Sequence, residues 1–135
     1  IMNSQSKRKE GIEMEKKNYS AAINHFKIAI ALLYGGPLTH RADFIDSLAQ
    51  AYYISGDLER ARAEYEKISM MTSGRLSYGA IYAKSFFMLG KIYDQQGQNA
   101  KAIEHYEKFL ELWKDADPGI SEADHARKRL AGLKK

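Results

Sequence analysis

Leu89-Gly90-Lys91-Ile92-Tyr93-Asp94-Gln95-Gln96-Gly97-Gln98-Asn99-Ala100-Lys101-Ala102-Ile103-Glu104-His105-Tyr106-Glu107-Lys108-Phe109 decides the fold of this 135-residue chain. Leu89, Gly90 and Tyr93 put a large, a small and an aromatic residue on one helical stripe. Gly97 then stands where a helix that closes in the left-handed conformation needs a residue without a Cβ. Beyond it, Ala102, Tyr106 and Phe109 are spaced by four and three, which keeps them on one face of a second helix. Helix, glycine turn, helix reads as an antiparallel hairpin.

The pattern recurs upstream. Leu48-Ala49-Gln50-Ala51-Tyr52 precedes Gly56, and Ala61, Tyr65 and Ile68 follow. Ala22, Phe26 and Ala29 repeat the second-helix signature once more. A fixed internal repeat of helix pairs predicts a stacked array, because one pair cannot bury its apolar face alone. Downstream, Ala123, Ala126, Leu130 and Leu133 form the stripe of a last helix. Ser121 and Asp124 sit at capping-box spacing ahead of it.

These residues resemble the tetratricopeptide repeat. The third unit carries the match through Phe86, Leu89, Gly90, Tyr93, Gly97, Ala102 and Tyr106, the second through Ile45, Leu48, Ala49, Tyr52, Gly56, Ala61 and Tyr65. The first matches only in Ala22, Phe26 and Ala29; its first helix, around Gly11 and Met14, is out of step. The resemblance implies an all-α, right-handed α-solenoid of about three hairpins plus a capping helix. Expected units are 3–36, 38–73 and 77–114, with the cap at 120–134, all in one domain over 1–135. The alanines recur after 39 and then 41 residues, against about 34 in the standard repeat, which resembles the longer repeats of kinesin light chains. The extra residues, Met70 to Ala80, are expected either to lengthen the flanking helices or to form a mobile loop. Trp113-Lys114-Asp115-Ala116-Asp117-Pro118 is similar to the end of arrays attached to bacterial kinases, cyclases and regulators. That similarity suggests a piece of a larger bacterial regulatory protein; Ile1 ahead of Met2 fits a piece cut from a longer chain or a first residue left over from cloning.

Composition sets limits. The chain is 44% hydrophobic and 28% charged, ordinary for a globular domain, and has no cysteine. Disulfides, thiolate catalysis and cysteine metal sites are excluded, and a reducing, cytoplasmic setting is expected. The apolar run from Ile28 to Tyr34 is too short to cross a bilayer, so no membrane partner is expected.

Nothing points to chemistry. Of the four histidines, His25 and His105 share a repeat position and read as scaffold, and no two stand four apart as a zinc hydrolase requires. Asp43 and Asp46 share a helix face, where surface solvation is the simpler account than acid–base work. Gly35-Gly36-Pro37 lacks the Gly-Lys-Ser/Thr of a phosphate loop. No cofactor, metal or catalytic residue is expected, and the chain is not read as an enzyme.

In the resembled family a partner peptide lies against the first helix of each pair. Carried over by position, the groove residues are Asp43, Asp46, Gln50 and Tyr53, then Lys84, Phe87, Lys91 and Asp94. Phe86 is expected in the core, leaving Phe87 or Met88 exposed as an apolar anchor. The carboxylate clamp of the chaperone-binding members is broken, since Gly11, Ser47 and Met88 replace its polar groups. The expected function is a non-catalytic interaction scaffold that holds a peptide or helix of a partner protein. Two rival readings are a self-associating regulatory module and nucleic-acid binding through Lys7-Arg8-Lys9 and Arg127-Lys128-Arg129. Against the latter, basic clusters at helix ends are most simply solvated.

Overall fold

A computed structural model describes the backbone of residues 4–33, 38–71, 79–114 and 121–135, and the side chains among them except those of residues 4–17, 38 and 39. The described residues form six helices and no strand: α1 (Ser4–Leu32), α2 (Leu38–Ile54), α3 (Leu58–Ser69), α4 (Gly79–Gln95), α5 (Asn99–Leu112) and α6 (Ser121–Leu133). No helix among the described residues is long and apolar enough to cross a membrane.

Two hairpins, α2–α3 and α4–α5, form the centre. Their turns are copies of each other. Gly56 has φ 92° and Gly97 φ 75°. In the first turn the Gly56 amide donates to the Tyr53 carbonyl at 3.1 Å and the Asp57 amide to Tyr52 at 2.9 Å. The second repeats this from Gly97 to Asp94 at 3.1 Å and from Gln98 to Tyr93 at 2.9 Å. This is the Schellman closure, and it requires the left-handed residue at the glycine. Asp57 closes α2 and also caps α3, its Oδ1 accepting from the Arg60 amide at 3.1 Å.

The expected first hairpin does not form, because α1 is one continuous helix from Ser4 to Leu32. Glycine stands five residues before the repeat alanine in the other units, and Lys17 takes that place before Ala22. Without a glycine the left-handed stop costs about 1–2 kcal/mol, and the helix runs on. The Ala22–Ala29 segment still packs as a second helix, with Ile23, Phe26 and Ile30 against the core. Of the long insertion, Gly79 and Ala80 extend α4, and residues 72–78 lie outside the described residues.

The repeat positions build the core. Ala61, Tyr65 and Ile68 of α3 are fully buried, as are Ala102 and Tyr106 of α5, with Phe109 2% exposed. The small residues admit the rings: a Cβ on Gly90 would lie 2.7 Å from Tyr106 Cδ1. Across the hairpins, Tyr93 Oη donates to Glu66 Oε1 at 2.7 Å and Gln96 to Glu59 at 2.8 Å. At the end of the array α6 buries Ala123 and Ala126 against α5. The Ser121 hydroxyl meets Glu122 at 3.4 Å, so the capping box expected with Asp124 is not what starts α6.

Candidate functional site

Side chains link α2 to α4 and α4 to α6. Asp94 of α4 takes a two-pronged ion pair from Arg129 of α6, Nε to Oδ2 at 2.6 Å and Nη2 to Oδ1 at 2.8 Å. Tyr106 Oη also donates to Asp94 Oδ2, at 3.3 Å. The Arg129 hydrogen bonds hold the Asp94 carboxyl below its usual range. Burial pushes the Tyr106 hydroxyl well up, and Asp94 adds to that. His125 packs edge-on to Phe87, ring centroids 5.6 Å apart. Burial first, then Lys91 and Arg129, lowers its proton affinity, with Asp94 opposing.

Between α2 and α4, Gln95 Nε2 donates to Tyr53 Oη at 2.6 Å, and Lys91 Nζ sits 5.1 Å from the Tyr53 ring centroid. Lys84 approaches Asp46 Oδ2 at 3.9 Å. Burial raises the Asp46 carboxyl even though Lys84 counters it, with Asp43 adding a smaller push upward. The buried Tyr65 hydroxyl and Asp46 Oδ1 have no hydrogen-bond partner among the described residues. Two clefts open beside these links. One, of ≈ 270 Å³, is lined by Lys91, Asp94, Gln95, Tyr106, His125 and Arg129. The other, of ≈ 210 Å³, includes Asp46, Lys84, Trp113 and Glu122.

Of the residues named from sequence, Asp46 meets Lys84 at one cleft, and Lys91 meets Tyr53 and lines the other cleft with Asp94. Asp43 is exposed near Asp46, and the exposed Gln50 faces the α1 side, with Tyr19 and Phe26. Phe87 and Met88 are corrected: they are 5% and 7% exposed and belong to the core. Phe87 packs on Phe109 at 5.2 Å and under His125, so α6 covers the ring that was expected to face a partner. Phe86, expected in the core, is only half-buried against Tyr82 and His105. His105 serves the scaffold, with Nδ1 2.7 Å from the Lys101 carbonyl and its ring on Tyr93.

Sequence reasoning missed Gln95, Trp113, Glu122, His125 and Arg129. The signal lay in treating the last helix only as a cap, although its stripe of small residues lets it pack as a further first helix. Among the described residues no group of three His, Asp or Glu side chains is placed to hold a metal.

A family profile described as tetratricopeptide repeat matches residues 41–115, the span of both hairpins and more than half of the chain. The chain belongs to the tetratricopeptide repeat family, a non-catalytic repeat family that generally mediates protein–protein interaction. No curated protein matches it.

Proposed function

We propose that the α2–α4–α6 face is a groove that holds a peptide or helix of a partner protein and does no chemistry. The observation that carries this reading is the row formed by Tyr53, Lys84, Lys91 and Gln95. Gln95 and Lys91 meet Tyr53, Lys84 faces the largely buried Asp46 carboxylate at 3.9 Å, and clefts of ≈ 210 and ≈ 270 Å³ open beside Lys84 and beside Lys91 and Gln95. A half-exposed tyrosine beside a lysine is the kind of anchor that dominates interface energetics. The test is crosslinked capture from the native cell with Tyr53→Ala and Lys91→Glu variants. Loss of the captured protein with an unchanged circular dichroism spectrum supports the groove. Equal capture by both variants overturns it.

A second reading, self-association, has one observation in its favour. Ile28 and Leu32 stand four apart on α1 and are 56% and 80% exposed, on a helix that lacks a hairpin partner of its own. Sedimentation over the micromolar range decides it: a strict monomer ends the reading, and a concentration-dependent dimer lost on Leu32→Lys supports it.

A further inference from the structure

The second-helix positions that are sealed elsewhere stand open in α1. Ala61, Tyr65 and Ile68 of α3 and Ala102, Tyr106 and Phe109 of α5 are buried, whereas Ala22, Phe26 and Ala29, at the same repeat places, are only half-buried. In the complete hairpins a first helix covers these places, and α1 has none. What remains is a cleft of ≈ 230 Å³ that includes Tyr19, Ala22 and Phe26 of α1 and Ser47, Ala51 and Ile54 of α2, with Ile54 51% exposed. A helix of the right length is present, but it points elsewhere. α1 is 29 residues long where α3 and α5 are 12 and 14, and the surplus lies ahead of Ala22. Because α1 is continuous, its rise per residue carries Ser4 about 20 Å beyond Lys17, away from the cleft.

Resting on the self-association reading above, we infer that residues 4–16 of a second copy occupy this cleft. The two chains exchange these segments as an antiparallel pair of α1 helices, related by a two-fold axis near Lys17. Exchange of an identical element is a low-cost route to a dimer, since each chain covers the surface that the other's own segment leaves open. Spacing, size and charge select this occupant. Ala49 and Ala61 are 12 positions apart, as are Gly90 and Ala102, but Gly11 and Ala22 only 11. A hairpin one residue short puts Gly11 out of register with its own Phe26, whereas two separate helices have no turn to fix their register. Gly90 admits the Tyr106 ring, from which a Cβ would lie 2.7 Å, and Gly11 offers the half-buried Phe26 ring the same close approach. Asp46, three residues before Ala49, faces Lys84, six before Gly90. By the same count Arg8 of the segment falls opposite the exposed Asp43 of α2, the same pairing with its signs reversed. A foreign helix would have to bring a small residue and a cation at this three-residue spacing; this chain carries both.

Sedimentation of the full chain across the micromolar range should show a concentration-dependent dimer. One glycine inserted between Lys17 and Asn18 restores both the 12-residue spacing and the turn glycine five places before the alanine. That protein should close its own hairpin and sediment as a monomer, with the amides of residues 4–16 protected from exchange at every concentration. Gly11→Gln in the segment and Ile54→Glu at the exposed rim of the cleft should each weaken the dimer about tenfold or more. An equimolar mixture of these two variants should associate more tightly than either alone, because the heterodimer keeps one intact joint of segment and cleft. A strict monomer removes self-association and the exchange together. A dimer that survives the glycine insertion and Ile54→Glu, or a mixture that associates no better than its components, overturns the exchange. If such a dimer is lost on Leu32→Lys, self-association stands through that patch and the exchange alone falls.

Discussion

Gly90→Ala and Gly132→Ala are the same chemical change in two helices, and their effects on stability should have opposite signs. In a helix interior, alanine is favoured over glycine by about 1 kcal/mol. At Gly132, in the last turn of α6, part of that gain remains and nothing opposes it, since the nearest atom to an added Cβ is Arg129 Nη1 at 4.0 Å. At Gly90 in α4 the methyl would meet Tyr106 Cδ1 at 2.7 Å, Cε1 at 2.9 Å and Cγ at 3.1 Å. That ring has little room to retreat. It is fully buried, its hydroxyl is held by Asp94, and Phe87 and His125 lie 6.2 Å from it, centroid to centroid. Overpacking a buried contact costs about 1–3 kcal/mol, so the upper half of that range exceeds the propensity gain. The expected net result is a loss of about 1–2 kcal/mol for Gly90→Ala. Gly132→Ala should gain about 0.5–1 kcal/mol. Urea unfolding followed by circular dichroism at 222 nm reads both. A Gly90→Ala protein as stable as Gly132→Ala would refute the close approach of α5 to α4. Ala49 occupies the matching place in the preceding hairpin, so the claim concerns how near this particular ring comes.

Further outcomes follow from the same contacts. Gly97→Ala meets no atom within 4 Å, yet should cost about 1–2 kcal/mol through its positive φ alone, and amide exchange should quicken at the α4–α5 turn. Phe87→Ala should cost about 3–5 kcal/mol of folding stability, since the ring is core, and any binding lost with it should track the unfolded fraction in a melt. Arg129→Met should lower the melting temperature at pH 7. Asp94's folded pKa is depressed by Arg129, so the stabilisation exists above the carboxyl's unfolded value of 3.8 and fades as pH falls through the folded value. The melting-temperature gap between wild type and Arg129→Met should therefore narrow in scans from pH 7 to pH 3.

The hairpins were legible because their determinants are local. Ala61 with Tyr65, Ala102 with Tyr106, and the glycines at 56 and 97 each fix a feature within one or two helical turns. The failed first hairpin was legible in the same terms, since Lys17 occupies the glycine place, but repeat matching overrode that residue. Phe86 and Phe87 were exchanged for a different reason. Adjacent helix positions point about 100° apart, and which aromatic is buried depends on α6 arriving over Phe87 from nearly forty residues downstream. Asp43 and Asp46 share a helix face in sequence, yet only Asp46 falls under Lys84 and beside the buried Tyr65. The Trp113–Glu122 side of the cleft is assembled wholly by tertiary packing, so no spacing rule within one element could reveal it.

Hydrogen exchange of the chain with and without its captured partner tests the groove most directly. The face proposed here predicts slowed exchange in α2 from Asp43 to Tyr53, in α4 from Ile81 to Gln95, and in α6 from Glu122 to Arg129, with α3 and the outer side of α5 unchanged. Slowing confined to α1, α3 or α5 would contradict it.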